Sequence, residues 1–357
     1  MALDDRDSGS EGGVFPALRP RPIEPPPNWR RAAATHPQRI AHKRASCSVM
    51  SHWGEFIQGP VMFEGRPHIG LVTLPDPAHY VTASVAPSPA TLQISCDSSK
   101  PKALHAAQLV IGTWAPGLGV ELTFRSTIPE GVGAGSSTAD CTATVYAILE
   151  MLGVPRSRAS ERDILAHVFA AEGPCDPLVL LDGKTTVLWG SRSGKLLKTY
   201  DVPLPPCYAL GFVTDPGRMV STVELAKEQA QTPPTPSEID AFAAVLRDFE
   251  QALAARSVRG LAMAAMASGS LNQGRCPIEH WDALIKLSDH VGALGVSCAH
   301  SGTAAAFLFD PAADDLDARL DRATRELQTL RAAHIHRFRT DSMPPFWAGA
   351  HTMTIER

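Results

Sequence analysis

The sequence predicts an α+β protein built from two domains. Strand patterns come first and a helix pattern follows in the first half, and the second half has the order β–α–α–α–β–α–β; segregated runs of this kind are typical of the α+β class. A chain of 357 residues is long enough for about two domains of ordinary size. We therefore predict domains at residues 39–204 and 205–357, with the boundary at the proline pair Pro205 and Pro206.

Composition is that of a soluble globular protein, with 44% hydrophobic and 20% charged residues. A net charge of −4 gives no electrostatic reason to expect a nucleic-acid or anionic-membrane partner. The sequence has no apolar run of membrane-spanning length and no apolar signal core, and its seven cysteines lack paired metal spacing. We expect a cytoplasmic protein with reduced thiols. Residues 1–38 are rich in acidic residues, glycine and proline, which predicts a disordered or loosely docked extension.

A glycine-rich loop at residues 129–135 lies between a predicted strand at residues 120–124 and a predicted helix that begins at Ser136. Alternating glycines allow backbone N–H groups to face a ligand, and a helix start adds unpaired N–H donors. This arrangement predicts a phosphate-binding loop, whereas the alternative is a serine-capped loop without a ligand. The segment differs from the P-loop of the common NTPases, because no Gly-Lys-Ser/Thr follows at the required spacing.

The pattern Pro-x3-Gly-x-Gly-Ser-Ser at residues 129–137 resembles the phosphate loop of the GHMP kinases. Its ending Ser-Ser-Thr-Ala-Asp is similar to that of a narrower branch, the L-threonine kinases of propanediol utilisation and cobalamin synthesis. The resemblance implies the two-domain GHMP kinase fold, with an N-terminal domain like domain 2 of ribosomal protein S5 and a ferredoxin-like C-terminal domain. It also implies a set of nucleotide-binding residues, namely Pro129, Gly131, Gly133, Ala134, Gly135, Ser136, Ser137 and Thr138.

Two further segments resemble motifs of the same branch. Gly54-Glu55 followed by Gln58-Gly59 implies a role for Glu55 on the substrate side or the nucleotide side of the site, although a solvated glutamate at a strand-to-turn junction is the alternative. This segment departs from the family at two points. Ser48 and Ser51 stand where some members carry a lysine, and Trp53 is bulkier than the small residue expected there, which leaves the size of the pocket open. The second segment, Ala-His-Ser-Gly-Thr at residues 299–303, implies substrate contacts for Ser301, Gly302 and Thr303.

Two carboxylates follow the helix that the sequence predicts from Ser160, with Asp163 completing a capping box. Their arrangement resembles the Glu-Pro-Thr-Asp motif of the branch with one residue added. The resemblance implies Mg²⁺ binding by Glu172 and Ser137, and an Asp176 that either accepts the proton of the attacking hydroxyl or simply holds that hydroxyl in line. The alternative is a capped helix end and a turn. Because of the added residue, the alignment with the motif is open at this point. Asp182, in a predicted hairpin turn, is therefore the second candidate for the catalytic carboxylate.

Other strand predictions cover residues 71–74, ended by Pro75, then 80–85, and a short apolar run at 178–181. His334 and His336 fall on one face of a strand predicted near residues 335–338. That pair would suit a metal ion, but an exposed edge strand accounts for it more simply.

The resemblance implies an ATP- and Mg²⁺-dependent kinase that converts L-threonine to O-phospho-L-threonine for cobalamin nucleotide-loop assembly. A small-molecule substrate is expected, with neither nucleic acid nor membrane as partner, and a homodimer is left open. Two alternatives remain: a kinase for another hydroxy amino acid or amino alcohol, such as homoserine or aminopropanol, and a non-catalytic sensor on the same fold that binds a nucleotide or metabolite.

Overall fold

The computed structural model describes residues 44–342, apart from short gaps at 90–92, 98, 156, 182, 219, 221–223, 226 and 229–230, together with residues 353–354. The predicted extension at residues 1–38 and the candidate Asp182 lie outside the described residues.

In the first half, strands and helices alternate around a long hairpin. The elements are β1 (Ala45–Phe63), β2 (Arg66–Pro87), β3 (Ile94–Cys96), α1 (Pro101–Trp114), β4 (Val120–Ser126), α2 (Ser136–Met151), α3 (Glu161–Glu172), β5 (Thr186–Gly190) and β6 (Lys195–Tyr200). The strand and helix predicted on either side of the glycine-rich loop are confirmed as β4 and α2. The capping box at the start of α3 is also confirmed, since Ser160 and Asp163 hydrogen bond reciprocally.

The second half places helices between its strands. The elements are β7 (Tyr208–Val213), α4 (Pro236–Ala254), α5 (Val258–Asn272), α6 (Trp281–Val291), β8 (Gly295–Cys298), β9 (Ala304–Phe309), α7 (Leu316–Thr329), β10 (Ala333–Arg339) and β11 (Met353–Thr354). The mixed α+β class is confirmed.

One continuous sheet crosses both halves in the order β10-β7-β9-β8-β1-β2-β4-β3, with β5 beside β2 and β11 beside β1. The junction between the halves is the pairing of Glu55 in β1 with Cys298 in β8. The larger core cluster also draws residues from both sides of position 205. The division into domains at 204/205 stays a prediction.

The β1–β2 hairpin contains irregular pairing where Ser51 and His52 lie opposite Asp76 and Pro75. Register shifts follow Met50, His52 and Glu55, and Gly54 has a φ of +76°. The strand break predicted at Pro75 is wrong: β2 runs through the proline, because the bulged partner strand removes the need for regular ladder hydrogen bonds there.

Three local predictions need correction. The apolar run at 178–181 is a short 3₁₀ turn (Leu178–Leu180) rather than a strand, since a four-residue apolar run fits either structure. Gly295–Cys298, which the sequence pattern placed in a loop, is the fully buried strand β8. Helix α1 was not predicted, because its buried face contains three alanines and only two larger apolar residues.

No helix in the described part of the chain is both long and apolar enough to span a membrane.

Candidate active site

The glycine-rich loop enters α2 through Gly135, the N-cap residue, which adopts a left-handed conformation with φ +68°. A Cβ at this position would overlap the imidazole ring of His52. A Cβ at Gly133 (φ +89°) would lie 2.6 Å from that of Ala299. Glycine is therefore required here both for backbone conformation and for close packing.

The 299–303 loop lies directly against the glycine-rich loop. The backbone N–H groups of Thr303 and Ala304 both donate to the carbonyl of Val132, at 2.9 and 2.8 Å. A Cβ at Gly302 would overlap that same carbonyl. The two loops, 170 positions apart in the sequence, thus form one wall.

A cavity of about 340 Å³ opens beside this wall. It brings together most of the residues predicted from the sequence: Gly131, Gly133, Ala134, Gly135, Ser136, Ser137, Thr138, Glu172, Asp176 and Ser301. The start of α2 lines this cavity, and the unpaired backbone N–H groups of a helix N-terminus suit an anion.

Four predicted site residues lie outside this cavity. Pro129 does not line it, Gly302 and Thr303 pack behind Ser301, and Glu55 lines an adjoining smaller cavity. Gly302 and Thr303 hold the loop wall through close backbone contacts.

Two lysines that the sequence analysis missed also line the cavity. Lys100 bonds to Asp140 at 2.7 Å and to Glu130 at 2.9 Å, and Lys102 lies 3.3 Å from Glu172. They flank the start of α1, where Pro101 occupies the first turn. A proline directly after a lysine, ahead of an alanine-rich run, is the signal that would have located them. These two lysines bring positive charge to the cavity, whereas β1 has Ser48 and Ser51 where some GHMP kinases carry a lysine.

Glu172 is oriented for a hard cation. Its side chain is 4% exposed, and its Oε2 atom has no hydrogen-bond partner. Burial raises the pKa of this carboxyl group, while Lys102 and the hydroxyls of Thr138 and Ser137 act in the opposite direction. A buried carboxylate oxygen without a partner, beside a hydroxyl and a cavity that suits phosphates, fits Mg²⁺.

His52 and Asp176 form a buried ion pair at the cavity wall, with Nε2 and Oδ2 3.1 Å apart. The other ring nitrogen, Nδ1, donates to the carbonyl of Gly54 at 3.3 Å. Although burial disfavours the charged ring, the carboxylates of Asp176 and Glu55 raise the pKa of His52 to about 9. The imidazolium therefore persists at neutral pH and fixes the orientation of Asp176. No motif in the sequence indicated this role for His52.

Glu55 is buried behind this pair and accepts a hydrogen bond from the backbone N–H of His300 at 3.1 Å. Burial raises the pKa of Glu55 to about 8, although the positive charge of His52 lowers it. His300 itself is neutral, since burial lowers its pKa to about 3.

The smaller cavity shares Asp176 and Ser301 with the larger one, and Glu55 and Arg192 also line it. A guanidinium group therefore stands on the far side of Asp176 from the glycine-rich loop. Arginine is suited to bind a carboxylate through paired N–H donors. Arg192 is the second functional candidate that the sequence motifs missed.

Comparison with known proteins gives a sequence match in the first half of the chain. Residues 102–182 match the family model for the GHMP kinases N terminal domain. A 4-diphosphocytidyl-2-C-methyl-D-erythritol kinase from Parvibaculum lavamentivorans is 30% identical over 100 residues. The match covers 28% of this chain and 32% of that kinase, so it spans only about a third of the relative's length.

Solved structures match over most of the chain. A homoserine kinase from Cytophaga hutchinsonii aligns with a TM-score of 0.60 at 17% identity, covering 87% of this chain and 97% of the other. The L. major mevalonate kinase in complex with R-mevalonate aligns with a TM-score of 0.56 at 16% identity, covering 83% and 95%. Family match and fold agree: the chain has the two-domain GHMP kinase fold, and its residues 102–182 match the N-terminal domain of the GHMP kinases.

Proposed function

We propose that this protein is an ATP- and Mg²⁺-dependent kinase that phosphorylates the hydroxyl group of a small molecule, with L-threonine as the favoured acceptor. The observation that carries this proposal is that the glycine-rich loop, Glu172 and Asp176 line one cavity. Phosphoryl transfer needs positioning and charge neutralisation at the phosphates together with a group that orients the attacking hydroxyl.

The backbone N–H groups of the glycine-rich loop and the start of α2 would hold the nucleotide phosphates, together with Lys100 and Lys102. Glu172 and Ser137 would hold Mg²⁺, which would supply charge neutralisation at the phosphates. Asp176 accepts the proton of the acceptor hydroxyl as its oxygen attacks the γ-phosphorus and ADP leaves. His52 keeps Asp176 in place.

The acceptor is held on the other side of Asp176, where Ser301, Glu55 and Arg192 line the smaller cavity. A hydroxy amino acid has a carboxylate for Arg192 and an ammonium group that can donate a hydrogen bond to a side-chain oxygen of Glu55. The branch motifs Gly-Glu…Gln-Gly, Ser-Ser-Thr-Ala-Asp and Ala-His-Ser-Gly-Thr favour L-threonine. The product, O-phospho-L-threonine, would then serve cobalamin nucleotide-loop assembly.

A second acceptor, L-homoserine, is supported by the likeness of the fold to a homoserine kinase. Homoserine has the same carboxylate and ammonium groups as threonine but carries its hydroxyl one carbon further away. The two acceptors therefore differ mainly in the distance between Arg192 and Asp176 that the bound molecule must span.

ADP release should be measured with Mg-ATP and a panel of L-threonine, L-serine, L-homoserine and 1-amino-2-propanol. We expect turnover with L-threonine at the highest kcat/KM. Asp176→Asn should lower kcat by about 10²–10⁴-fold while ATP binding is retained, because the substitution removes only the proton acceptor. Nucleotide binding without turnover for every acceptor, unaffected by Asp176→Asn, would instead identify a sensor.

A further inference from the structure

A second cluster of titratable side chains lies away from the active-site cavity and joins the two halves of the chain. Asp76 Oδ2 lies 2.7 Å from His79 Nδ1 and 3.0 Å from His336 Nε2. Asp76 and His79 belong to β2, and His336 belongs to β10. None of the three lines the active-site cavity, and all three donor atoms lie within 4.8 Å of one another. These three residues form the His–Asp–His cluster.

The tautomer of His336 indicates that a cation belongs in the His–Asp–His cluster. Its Nδ1 lies 3.0 Å from the carbonyl oxygen of His334, which can only accept, so Nδ1 carries a proton. In the neutral ring Nε2 then presents a lone pair to the Asp76 carboxylate, and two lone pairs repel. A proton or a metal ion between them removes this repulsion. Metal-binding histidines commonly donate their other N–H to a backbone carbonyl in this way.

Surrounding groups hold the three side chains in place. The Asp76 side chain is fully buried, and its Oδ1 accepts the backbone N–H of Ala78 at 3.0 Å, which leaves Oδ2 directed at the two rings. The ring of Trp53 stacks on His79 and packs edge-on against His336, with centroids 5.6 and 4.3 Å apart. A Cβ at Gly211 would overlap the His336 ring, so glycine leaves the space that this ring occupies.

We propose that Asp76, His79 and His336 bind one divalent transition-metal ion, with Zn²⁺ as the expected occupant. Two imidazole nitrogens and one carboxylate oxygen are ligands that Zn²⁺ accepts readily, whereas Mg²⁺ and Ca²⁺ prefer oxygen alone. Tetrahedral zinc with bonds of about 2.0–2.1 Å separates neighbouring ligand atoms by roughly 3.3 Å. The observed separations of 2.7 and 3.0 Å reach that value with side-chain shifts of a few tenths of an ångström.

The site has an open position for a water molecule and access from solvent. The side chains of His79 and His336 are 19% and 16% exposed, while Asp76 is fully buried. Three protein ligands leave a fourth tetrahedral position, which water would fill. Because the ligands come from β2 and β10, the bound ion ties the first half of the chain to the edge strand of the second.

The test is calorimetric titration of the purified full-length protein, stripped of metal by a chelator, with Zn²⁺ in the presence of excess Mg²⁺. We expect one equivalent of Zn²⁺ to bind and to raise Tm. His336→Ala and His79→Ala should each weaken Zn²⁺ binding by tenfold or more. Asp76→Asn, which keeps the shape of the side chain, should weaken it as well and guards against loss of folding in the alanine variants.

The matched control is His334→Ala, which removes an exposed imidazole two residues away on the same strand but keeps the backbone carbonyl that His336 uses. It should bind Zn²⁺ like the wild type. Absence of Zn²⁺ binding to the wild type, or equal loss in His334→Ala and His336→Ala, would overturn the proposal. In that case the three side chains form a hydrogen-bonded cluster that holds no metal ion.

Discussion

The ion pair between His52 and Asp176 is central to the site at the scale of single residues. The carboxylate is 17% exposed and the imidazole 3%, so Asp176 reaches the cavity while its partner stays behind it. Under the proposed mechanism this division matters, because a proton acceptor must face the substrate and must stay ionised. His52 contributes both orientation and charge without touching the acceptor.

The raised pKa of His52 predicts a pH-dependent stability. The pKa of His52 in the folded protein is about 9, against an ordinary value of 6.5, so the stabilisation by this pair is fully present below about pH 6.5 and is lost as pH rises through about 9. Its contribution is a few kcal/mol at most. Urea denaturation from pH 6 to 9.5 should show wild-type stability falling more steeply than that of His52→Gln.

Glu55 also makes the stability of the folded protein fall as pH rises. Its folded pKa of about 8 is also raised, so its contribution to stability is likewise lost as pH rises. Because the positive charge of His52 lowers the pKa of Glu55, the comparison should be repeated in a Glu55→Gln background, where parallel curves with and without His52→Gln would contradict the assignment.

The position of Arg192 in the smaller cavity predicts a selective effect on acceptor binding. Arg192→Gln should raise the KM for L-threonine by about 10–100-fold, since a charge-assisted hydrogen bond is worth about 1.5–3 kcal/mol. The KM for ATP should change little. As a control, 1-amino-2-propanol lacks the carboxylate, so its kcat/KM should be insensitive to the substitution. An equal loss for both acceptors would exclude Arg192 as the carboxylate contact.

At the scale of elements, the irregular segment of β1 decides which side chains reach the site. Neighbouring residues of a strand point to opposite faces. His52 therefore meets Asp176 and the glycine-rich loop, while Trp53 points to the other side, where its Nε1 donates to the carbonyl of Ala305 at 2.8 Å. The large Trp53 side chain thus leaves the active-site cavity clear, which settles the pocket-size question that the sequence left open.

Packing of the glycine-rich loop against β1 predicts that Gly135→Ala is damaging. The new Cβ would meet the His52 ring at a position with positive φ, so both strain and overlap arise. We expect a loss of at least about 1 kcal/mol in unfolding free energy, together with weaker ATP binding.

Gly65→Ala is the matched control, because Gly65 has a similar φ of +73° in the β1–β2 turn and open space around its Cβ position. It should show only the conformational cost and leave ATP affinity unchanged. Equal effects of the two substitutions on denaturation and on ATP binding would rule out the contact with His52 as the cause.

At the scale of the whole molecule, the two halves share both a sheet and a core. Strand β1 pairs with β2 on one side and with β8 on the other. The larger hydrophobic cluster includes Trp53 and Ile148 from the first half and Phe242 and Ala304 from the second. Separation of the halves would expose this shared apolar surface to water.

This shared core predicts a single cooperative unfolding transition. Far-UV circular dichroism and tryptophan fluorescence should give the same thermal midpoint, and Mg-ATP should raise that midpoint as a whole. Two transitions, of which only the first responds to ATP, would show instead that the predicted domains unfold independently.

Local patterns predicted much of the fold and of the site. The glycine-rich loop, helices α2 and α3 and the capping box follow from short-range signals in the sequence. The resemblance to the GHMP kinases implied Glu172, Asp176 and Ser301, so half of the cavity-lining residues were predicted. Helix α1 and its lysines were missed because alanine makes a weak periodic pattern, and β2 was divided in the prediction because the bulge opposite Pro75 depends on a partner strand.

The sequence alone determined the nature of the loop and the carboxylates available to it, because glycine spacing and helix capping act over a few residues. Only the tertiary structure decided that His52 faces Asp176, that Lys100 and Lys102 line the cavity, and that His336 meets Asp76. These contacts join residues 30 to 260 positions apart in the sequence, so strand register and sheet order place them and no local pattern contains that information.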